Sequence, residues 1–338
     1  MKKRGRGVCL VAHPGGTRYG GGDPNQAIIK LKLDGTVELL IGTVDIGQGS
    51  SMVFRQITAE KLQVALDKIG MITADTSSGA YCSGTQASRA MFSCGNAIIA
   101  ACDDFIRQLQ QFGAKIFNTE EENINIDHGF VVVKSEPEKK MSYAQFSKYL
   151  FDQGDFVVGQ GSYMMRKFRP MDPEGGFFEG SGNIAFGAMV MDIDVDTKTG
   201  QIDIINVYLA QDAGMPLNKI ICEGQVEGGL VHSIGMTLME NLYPYYPETD
   251  FMPKSFRDYI IPTAKDIPQL QYVFVGGADP SGPYGAKGFS EMGTHYIAAA
   301  MGEAIYNAIG VWITSLPITP EKVLRALDAK ETCNNKGE

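Results

Sequence analysis

Ile29, Leu31 and Leu33 alternate with Lys30 and Lys32, Asp34–Gly35 follows, and Val37, Leu39 and Ile41 resume the alternation. A period of two around an Asp-Gly turn predicts a β-hairpin with one buried face. "GTVDIGQGSS" ends the second strand, and "MVFRQITAEKLQV" predicts a helix that Ser50 or Ser51 can cap. Cys94, Ile98, Cys102, Phe105 and Leu109 recur at helical spacing and predict a longer amphipathic helix ended by Gly113. "INIDHGFVVV" reads as a second hairpin and "SYAQFSKYLFDQG" as a short helix capped by Ser142. "FRPMDPEGGFFEGSGN", Phe168 to Asn183, is a loop by composition. "AMVMDIDVDTKTGQIDIINVYLAQDAG" predicts a further hairpin. Asp192, Asp194 and Asp196 recur there with period two, which fits a solvated strand face better than a calcium loop. "NKIICEGQVEGGLVHSIGMTLME" predicts a helix, and a last one runs from about His295 to Ile309.

Hairpins and helices are interspersed, without a low-complexity linker and without strict strand-helix-strand alternation. The pattern predicts an α+β fold with mixed sheets, not a doubly wound one. The 338 residues suit one large domain or two ordinary ones; a single region over 1–338, made of two intertwined α+β lobes, is expected.

The chain carries a net charge of −9 and a pI of about 5.1, which argues against a general nucleic-acid binder. The basic start "MKKRGRGVCLVAH" resembles a signal peptide only briefly, because its apolar run is Val8 to Ala12. No run approaches the roughly 18–20 apolar residues of a membrane span; a cytoplasmic protein without a membrane partner is expected. Cys9, Cys82, Cys94, Cys102, Cys222 and Cys333 form no C-x-x-C, so zinc-ribbon, thioredoxin-type and ferredoxin-type sites lose their signature, and free, unreactive thiols are expected. His13, His128, His232 and His295 are scattered, so no metal held by protein side chains is expected.

Three loops share one design. "IGQGSS", "SGTQASR" and "GAKGFSEMGT" each precede a predicted helix and are rich in glycine or small hydroxylated residues. Helix N-termini present unpaired N–H groups, and glycine permits close backbone approach, so such loops suit a ligand with several phosphate or carbonyl oxygens. A loop of this kind is also an ordinary helix cap. None fits the P-loop or the dinucleotide fingerprint, so ATP and NAD are not the expected ligands. A glutamate near a helix start, such as Glu291, can likewise do no more than favour the dipole.

Four stretches carry a resemblance: "GTVDIGQGSSMVFRQITAEKL", "TQASRAMFSCGNAI", "GQVEGGLVHSIG" and "GPYGAKGFSE", in this order and spacing. Together they resemble the second half of the molybdopterin-binding subunit of the molybdenum hydroxylases, the xanthine dehydrogenase and aldehyde oxidase family, over about Gly5 to Leu327. The resemblance implies a molybdopterin cytosine dinucleotide cofactor carrying molybdenum, held through the pterin. Gly47, Gln48 and Gly49 match one cofactor loop. Ser83, Thr85, Gln86, Ala87, Ser88 and Arg89 belong to a second, where the Arg89 fork suits phosphate or carbonyl oxygens. Gln225, Lys287 and Gly288 complete the cofactor set, and Glu291 matches the catalytic general base. Ser290 and Met292–Gly293 depart from the family's usual neighbours of that glutamate, and Asp45 stands where Glu is common.

The stretches of the family's first half are not among these residues. The resemblance therefore implies a split enzyme like the bacterial nicotinate dehydrogenases, with a larger molybdopterin subunit, an iron–sulfur subunit with [2Fe-2S] clusters and an FAD subunit as partners. It implies hydroxylation of an N-heteroaromatic substrate, nicotinate to 6-hydroxynicotinate favoured, with oxygen from water. The alternatives are a family dehydrogenase for an aldehyde, purine or acyl-CoA ester, and a non-catalytic cofactor-binding or maturation protein.

Overall fold

The structure is a computed structural model and describes residues 1–16, 23–77, 80–165, 183–241 and 253–335. In chain order the elements are β1 (Lys2–Pro14), β2 (Asp23–Leu31), β3 (Val37–Ile41), α1 (Ser50–Leu62), β4 (Ile69–Thr73), α2 (Gly95–Phe117), β5 (Ile124–Asp127), β6 (Phe130–Val133), β7 (Glu136–Ser142), α3 (Tyr143–Gln153), β8 (Val158–Met165), β9 (Ile184–Asp196), β10 (Ile202–Asp212), α4 (Lys219–Leu238), β11 (Gln269–Val275), α5 (Ile297–Ile309) and α6 (Pro320–Asn335). Short helical turns fall between several of them. The fold is α+β with mixed sheets, as the pattern predicts. Most of the predicted Phe168–Asn183 loop lies outside the described residues.

The chain forms two compact units, each assembled from separated segments. The first comprises Met1–His13, Ala185–Gly276 and Phe289–Glu338. Its sheet runs β1-β9-β10-β11. β9 and β10 are the predicted antiparallel hairpin, and β11 joins β10 in parallel. Met189, Met191, Ile193, Val207 and Leu209 pack with Ile297, Met301 and Ile305 into one apolar core. The first half of β1 shows no hydrophobic alternation because its inward positions there are Gly5 and Gly7. A Cβ on Gly5 would meet Ala304 O at 2.0 Å and one on Gly7 would meet Ala300 O at 1.9 Å, so the backbone of α5 rests directly on the strand. Arg4 and Arg6 on the other face form forked hydrogen bonds with Asp194 and Asp192. The hairpin aspartates are therefore ion-paired to β1 and not merely solvated. Arg6 holds the Asp192 carboxyl below its ordinary range.

The second unit comprises Pro14–Ile184 and Gly277–Gly288. It holds a sheet in the order β4-β3-β2-β8 and a smaller antiparallel sheet β5-β6-β7. β2 and β3 are the predicted hairpin. Ile29, Leu39, Ile41, Phe54, Ile57, Phe92, Ile98, Phe105 and Leu109 are buried. α2 repeats the device of the first unit: Cβ atoms on Gly159 and Gly161 of β8 would meet Ala101 O and Ala97 O, each at 2.4 Å. Gly113 does not end α2, which continues to Phe117. A Cβ there would sit 3.1 Å from Ile124 and Val131 side chains, so Gly113 marks tight packing and not a stop. Ser142 caps α3 in a capping box with Gln145, as predicted.

Neither Ser50 nor Ser51 caps α1. Its N-cap is Gly49, in the left-handed region at φ 79°, without a side-chain cap. The Asp45 carboxylate accepts instead from the N–H groups of Gly47, Gly49 and Ser51 at 3.0, 3.1 and 2.9 Å. Burial pushes this carboxyl up, but the backbone donors outweigh it and leave it below its ordinary value.

Two outcomes follow from these contacts. Gly161→Ala should lower the unfolding free energy by about 1–3 kcal/mol, the usual cost of overpacking. Gly70→Ala, whose Cβ meets nothing nearer than Val37 O at 3.7 Å, should stay within about 0.5 kcal/mol of the wild type; urea midpoints that coincide for the two would refute the close seating of α2. Asp45→Ala should cost about 1 kcal/mol at neutral pH, a typical capping loss. Because the folded carboxyl lies below its unfolded value, its contribution is complete above about pH 4 and lost as pH falls further. The gap between wild type and variant should narrow in acid, and a gap that widens there would contradict the capping role.

Candidate functional site

The second unit brings two of the predicted loops together. Thr85 Oγ1 lies 3.0 Å from Thr43 Oγ1, donates to Val44 O at 2.7 Å and accepts from the Val44 N–H at 3.1 Å. The segment Ser83–Arg89 is thereby tied to the strand end that leads into Gly47–Gly49. Gln48 folds onto its own loop: its amide oxygen accepts from the Ile46 N–H, and its amide nitrogen donates to Val44 O and Ser50 Oγ. Ser83 Oγ donates to Pro24 O, and the exposed Gln86 reaches back to Ser83 O at 3.4 Å. Ala87 and Ser88 both take positive φ, 50° and 51°, a left-handed pair that only surrounding contacts can hold. Two such contacts are visible: the Gly16 N–H donates to Ala87 O at 2.8 Å, and a Cβ on Gly288 would lie 1.7 Å from Ser88 O. Lys287 Nζ donates to Ile184 O at 3.0 Å.

Arg89 points into the protein, not outward. Its side chain is 0 % exposed, with Nε 2.5 Å from Asp23 Oδ1. It donates to Asn25 Oδ1, Gly84 O and the Cys82 sulfur. Ser93 Oγ donates to the other Asp23 oxygen at 3.1 Å. The forked donors that the resemblance assigns to cofactor oxygens are directed here to protein acceptors. The N–H groups of Gly49 and Ser51 are similarly occupied by Asp45, so they too are not open to an anion. Open space does lie beside the Cα of Gly47 (φ 110°) and of Gly84 (φ 112°), where no atom comes within 4 Å of a Cβ position. These bare backbone edges, with the exposed Gln86 amide, fit a flat polyoxygenated ligand such as a pterin or nucleotide.

The first unit holds Gln225 and Glu291. Gln225 stands half-buried on α4, whose Asn218 side chain caps it through the Ile221 N–H at 3.2 Å. Glu291 lies on a 3-10 turn, Ser290–His295, ahead of α5 and outside that helix's first turn, which holds no acid. It stands in the first turn of that 3-10 segment, which runs through Tyr296 into α5, so a favourable interaction with the segment's N-terminal N–H groups is also open to it. The turn is pinned from several sides. Gly229 and Gly293 meet backbone to backbone, with a Cβ on either reaching the other's Cα at 2.8 Å. Ser233 Oγ donates to Thr294 O at 3.0 Å. Buried Gln211 donates to the Met292 sulfur and accepts from the Tyr296 hydroxyl at 3.2 Å. The Glu291 side chain is 49 % exposed, and His13 Nε2 stands 3.9 Å from one carboxylate oxygen. The His13 ring in turn lies against His295, centroids 5.2 Å apart.

Asp23, Asn25, Asp45, His13 and Gln211 were not singled out as site residues by sequence reasoning. Apart from Asp45, whose partners lie two to six residues on, each is a single polar residue whose partner lies far along the chain, so no local spacing announces it. Among the described residues no three His, Cys, Asp or Glu side chains group closely enough to hold a metal ion, and no helix is long and apolar enough to cross a membrane.

Residues 1–268 match the family model for the molybdopterin cofactor-binding domain. The chain is 29% identical over 327 residues to a probable hypoxanthine oxidase of Escherichia coli K12, covering 96% of this chain and 32% of that protein. It is 29% identical over 311 residues to the nicotine 6-hydroxylase large subunit of Paenarthrobacter nicotinovorans, covering 89% and 36%. Quinoline 2-oxidoreductase from Pseudomonas putida 86 shares the fold at a TM-score of 0.81 and 24% identity, over 97% of this chain and 42% of that one. The chain thus spans about a third to two fifths of the length of these relatives. With the family model covering most of its length, the chain belongs to the molybdopterin cofactor-binding domain family, among the molybdenum hydroxylases.

Proposed function

We propose that this chain works in a heteromeric molybdenum hydroxylase that adds water-derived oxygen to an N-heteroaromatic ring, with nicotinate to 6-hydroxynicotinate the favoured reaction. Two relatives named for nitrogen heterocycles, a hypoxanthine oxidase and a nicotine 6-hydroxylase, support that substrate class. The observation that carries the reading is Glu291: a half-exposed carboxylate on a turn fixed by buried neighbours. An exposed carboxylate held this rigidly suits a general base, which must meet a reacting proton at hydrogen-bond distance.

Gly47, Gln48, Gly49, Ser83, Thr85, Gln86, Ala87, Ser88, Gln225, Lys287 and Gly288 would hold molybdopterin cytosine dinucleotide, with the open edges at Gly47 and Gly84 and the exposed Gln86 nearest to it. Arg89 keeps its loop in shape from behind. When bound, the cofactor would supply a two-electron redox centre. Glu291 would act as the general base, holding a proton at its carboxylate, and nearby His13 would steady that carboxylate. Partners carry the rest: a larger molybdopterin subunit, a [2Fe-2S] subunit and an FAD subunit, in the cytoplasm. A turnover screen on the natively purified complex, with nicotinate, other heterocycles, aldehydes and acyl-CoA esters, decides the substrate. Bound molybdenum without any turnover would instead indicate a cofactor-binding or maturation protein.

Arg89→Ala should lower cofactor occupancy together with the unfolding midpoint, because it strands the buried Asp23 carboxylate, a loss of about 3–5 kcal/mol for a broken buried pair. Asp23→Asn should reproduce the occupancy loss from outside the loop. Occupancy lost at an unchanged midpoint would restore a direct contact between Arg89 and the ligand.

Glu291→Gln should leave molybdenum content and the unfolding midpoint near wild type, since the swapped group is half exposed. Turnover should fall by roughly two orders of magnitude or more. Near-wild-type turnover across pH would remove Glu291 from the mechanism.

A further inference from the structure

Cys82 and Cys94 were read from sequence as two of six unconnected thiols, yet the second unit sets their sulfurs 3.9 Å apart. Cys82 is half-buried at the start of the Ser83–Arg89 loop, and Cys94 is fully buried at the start of α2. The Cys82 sulfur accepts from the Arg89 guanidinium at 3.4 Å and from the Gly84 N–H at 3.4 Å. The Cys94 thiol lies 3.3 Å from Asn25 Oδ1. A sulfur surrounded by donors, beside a second thiol and a permanently charged guanidinium, is an environment for a thiolate.

We propose that Cys82 and Cys94 are a reversible disulfide site, with Cys82 as the attacking thiolate and Cys94 as the resolving thiol. The oxidant class is a hydroperoxide. The Cys82 sulfur attacks the peroxide oxygen, the O–O bond breaks, and Cys82 becomes a sulfenic acid while the peroxide leaves as water after taking up a proton. The Cys94 sulfur then attacks the Cys82 sulfur. The S–S bond forms, the S–O bond breaks, and the Cys94 proton leaves with the hydroxyl as a second water. Two thiols and one hydrogen peroxide thus give one disulfide and two waters.

The electrostatics agree with the geometry. The hydrogen bond from Cys94, then those from Arg89 and Gly84, outweigh burial and bring the Cys82 thiol down to about 5. The same shared hydrogen bond, with burial, pushes Cys94 well up, so the pair holds one proton between two sulfurs. Once Cys82 is a neutral sulfenic acid, the negative charge that kept the proton on Cys94 is gone. Bridging needs the sulfurs to close from 3.9 Å to about 2.05 Å, within the travel of two side chains. Closure withdraws the Cys82 sulfur from Arg89, the residue that braces the loop. The inference stands on the second unit alone and not on the substrate proposed above.

The test uses the full-length chain in its natively purified assembly. After one equivalent of hydrogen peroxide, alkylation and trypsin, peptide Ile69–Arg89 should appear joined to peptide Ala90–Arg107. Fragmentation should place the link on Cys94 and not on Cys102, and dithiothreitol should undo it. Cys94→Ser should instead leave a Cys82 sulfenic acid that dimedone traps. In the untreated wild type, Cys82 alkylation should change less than about twofold from pH 9 to pH 6, where an ordinary thiol of pKa about 8.5 slows about two hundredfold. The proposal is overturned if exposed Cys333 oxidises while the pair stays alkylatable. It is equally overturned if Cys82 runs to sulfinic acid without a link, or if its alkylation falls with pH like an ordinary thiol.

Discussion

Four glycines set how deeply two helices sit, and the candidate site inherits its geometry from that depth. In the first unit Gly5 and Gly7 of β1 lie under Ala304 and Ala300 of α5; in the second, Gly159 and Gly161 of β8 lie under Ala101 and Ala97 of α2. In each case glycines two apart on a strand meet carbonyls four apart on a helix, the later glycine under the earlier alanine. Strand residues two apart rise by almost 7 Å and helix residues four apart by 6 Å, so the two ladders match. Any side chain at these positions would lift the helix off its sheet. What precedes each helix belongs to the proposed site: Ser83–Arg89 leads into α2, and the Glu291 turn leads into α5. A shift in either helix is therefore a shift in the residues just ahead of it.

The loops of the second unit are shaped by their own polar groups before any ligand arrives. Asp45 gathers three backbone N–H groups, Gln48 ties both ends of its loop, and Arg89 binds Asp23, Asn25 and Gly84 from inside. A ligand then meets a fixed edge and need not order a floppy one, which preserves affinity. The arrangement also divides the charged residues by task. Asp45 and Arg89 brace the loops from within, and the open edges lie at Gly47, Gly84 and the exposed Gln86.

That division explains what the sequence could and could not disclose. The hairpins β2–β3 and β9–β10 and the helices α2 and α4 were legible, because their burial is made by apolar side chains whose spacing matches strand or helix. β1 and β8 were not legible as strands, because glycines take several of their inward positions and a hydrophobicity pattern is blind to them. Gly113 misled for the same reason, reading as a stop where it is a packing contact. α6 escaped notice, as did β4 and β11, which join their sheets by parallel pairing with distant or looped-out partners. Within the site, Glu291 and the cofactor loops were recognisable only as members of a motif set. Their supports, Asp23, Asn25, Gln211 and His13, are single polar residues made significant by contacts at long sequence separation.

The backbone of the Glu291 turn is held firmly although the glutamate side chain itself is exposed. Its neighbours Met292, Gly293 and Tyr296 are buried, and Gln211 engages two of them from β10. Thr294 Oγ1 closes onto the Glu291 carbonyl at 2.7 Å, and Ser233 of α4 holds the Thr294 carbonyl. The backbone of the turn is thus fixed on its inner side, and only the carboxylate's own torsions are left to order. Holding one such side chain costs at most about 2 kcal/mol of rotamer entropy, far less than ordering a mobile loop around it. His13, 92% buried and 3.9 Å away, limits those torsions further by offering the carboxylate a fixed polar neighbour. The substitutions Ser290 and Met292–Gly293, which depart from the family's usual residues, fall on this anchored side. Met292 supplies the sulfur that Gln211 grips and Gly293 permits the contact with Gly229, so both departures serve to fasten the turn on its inner side.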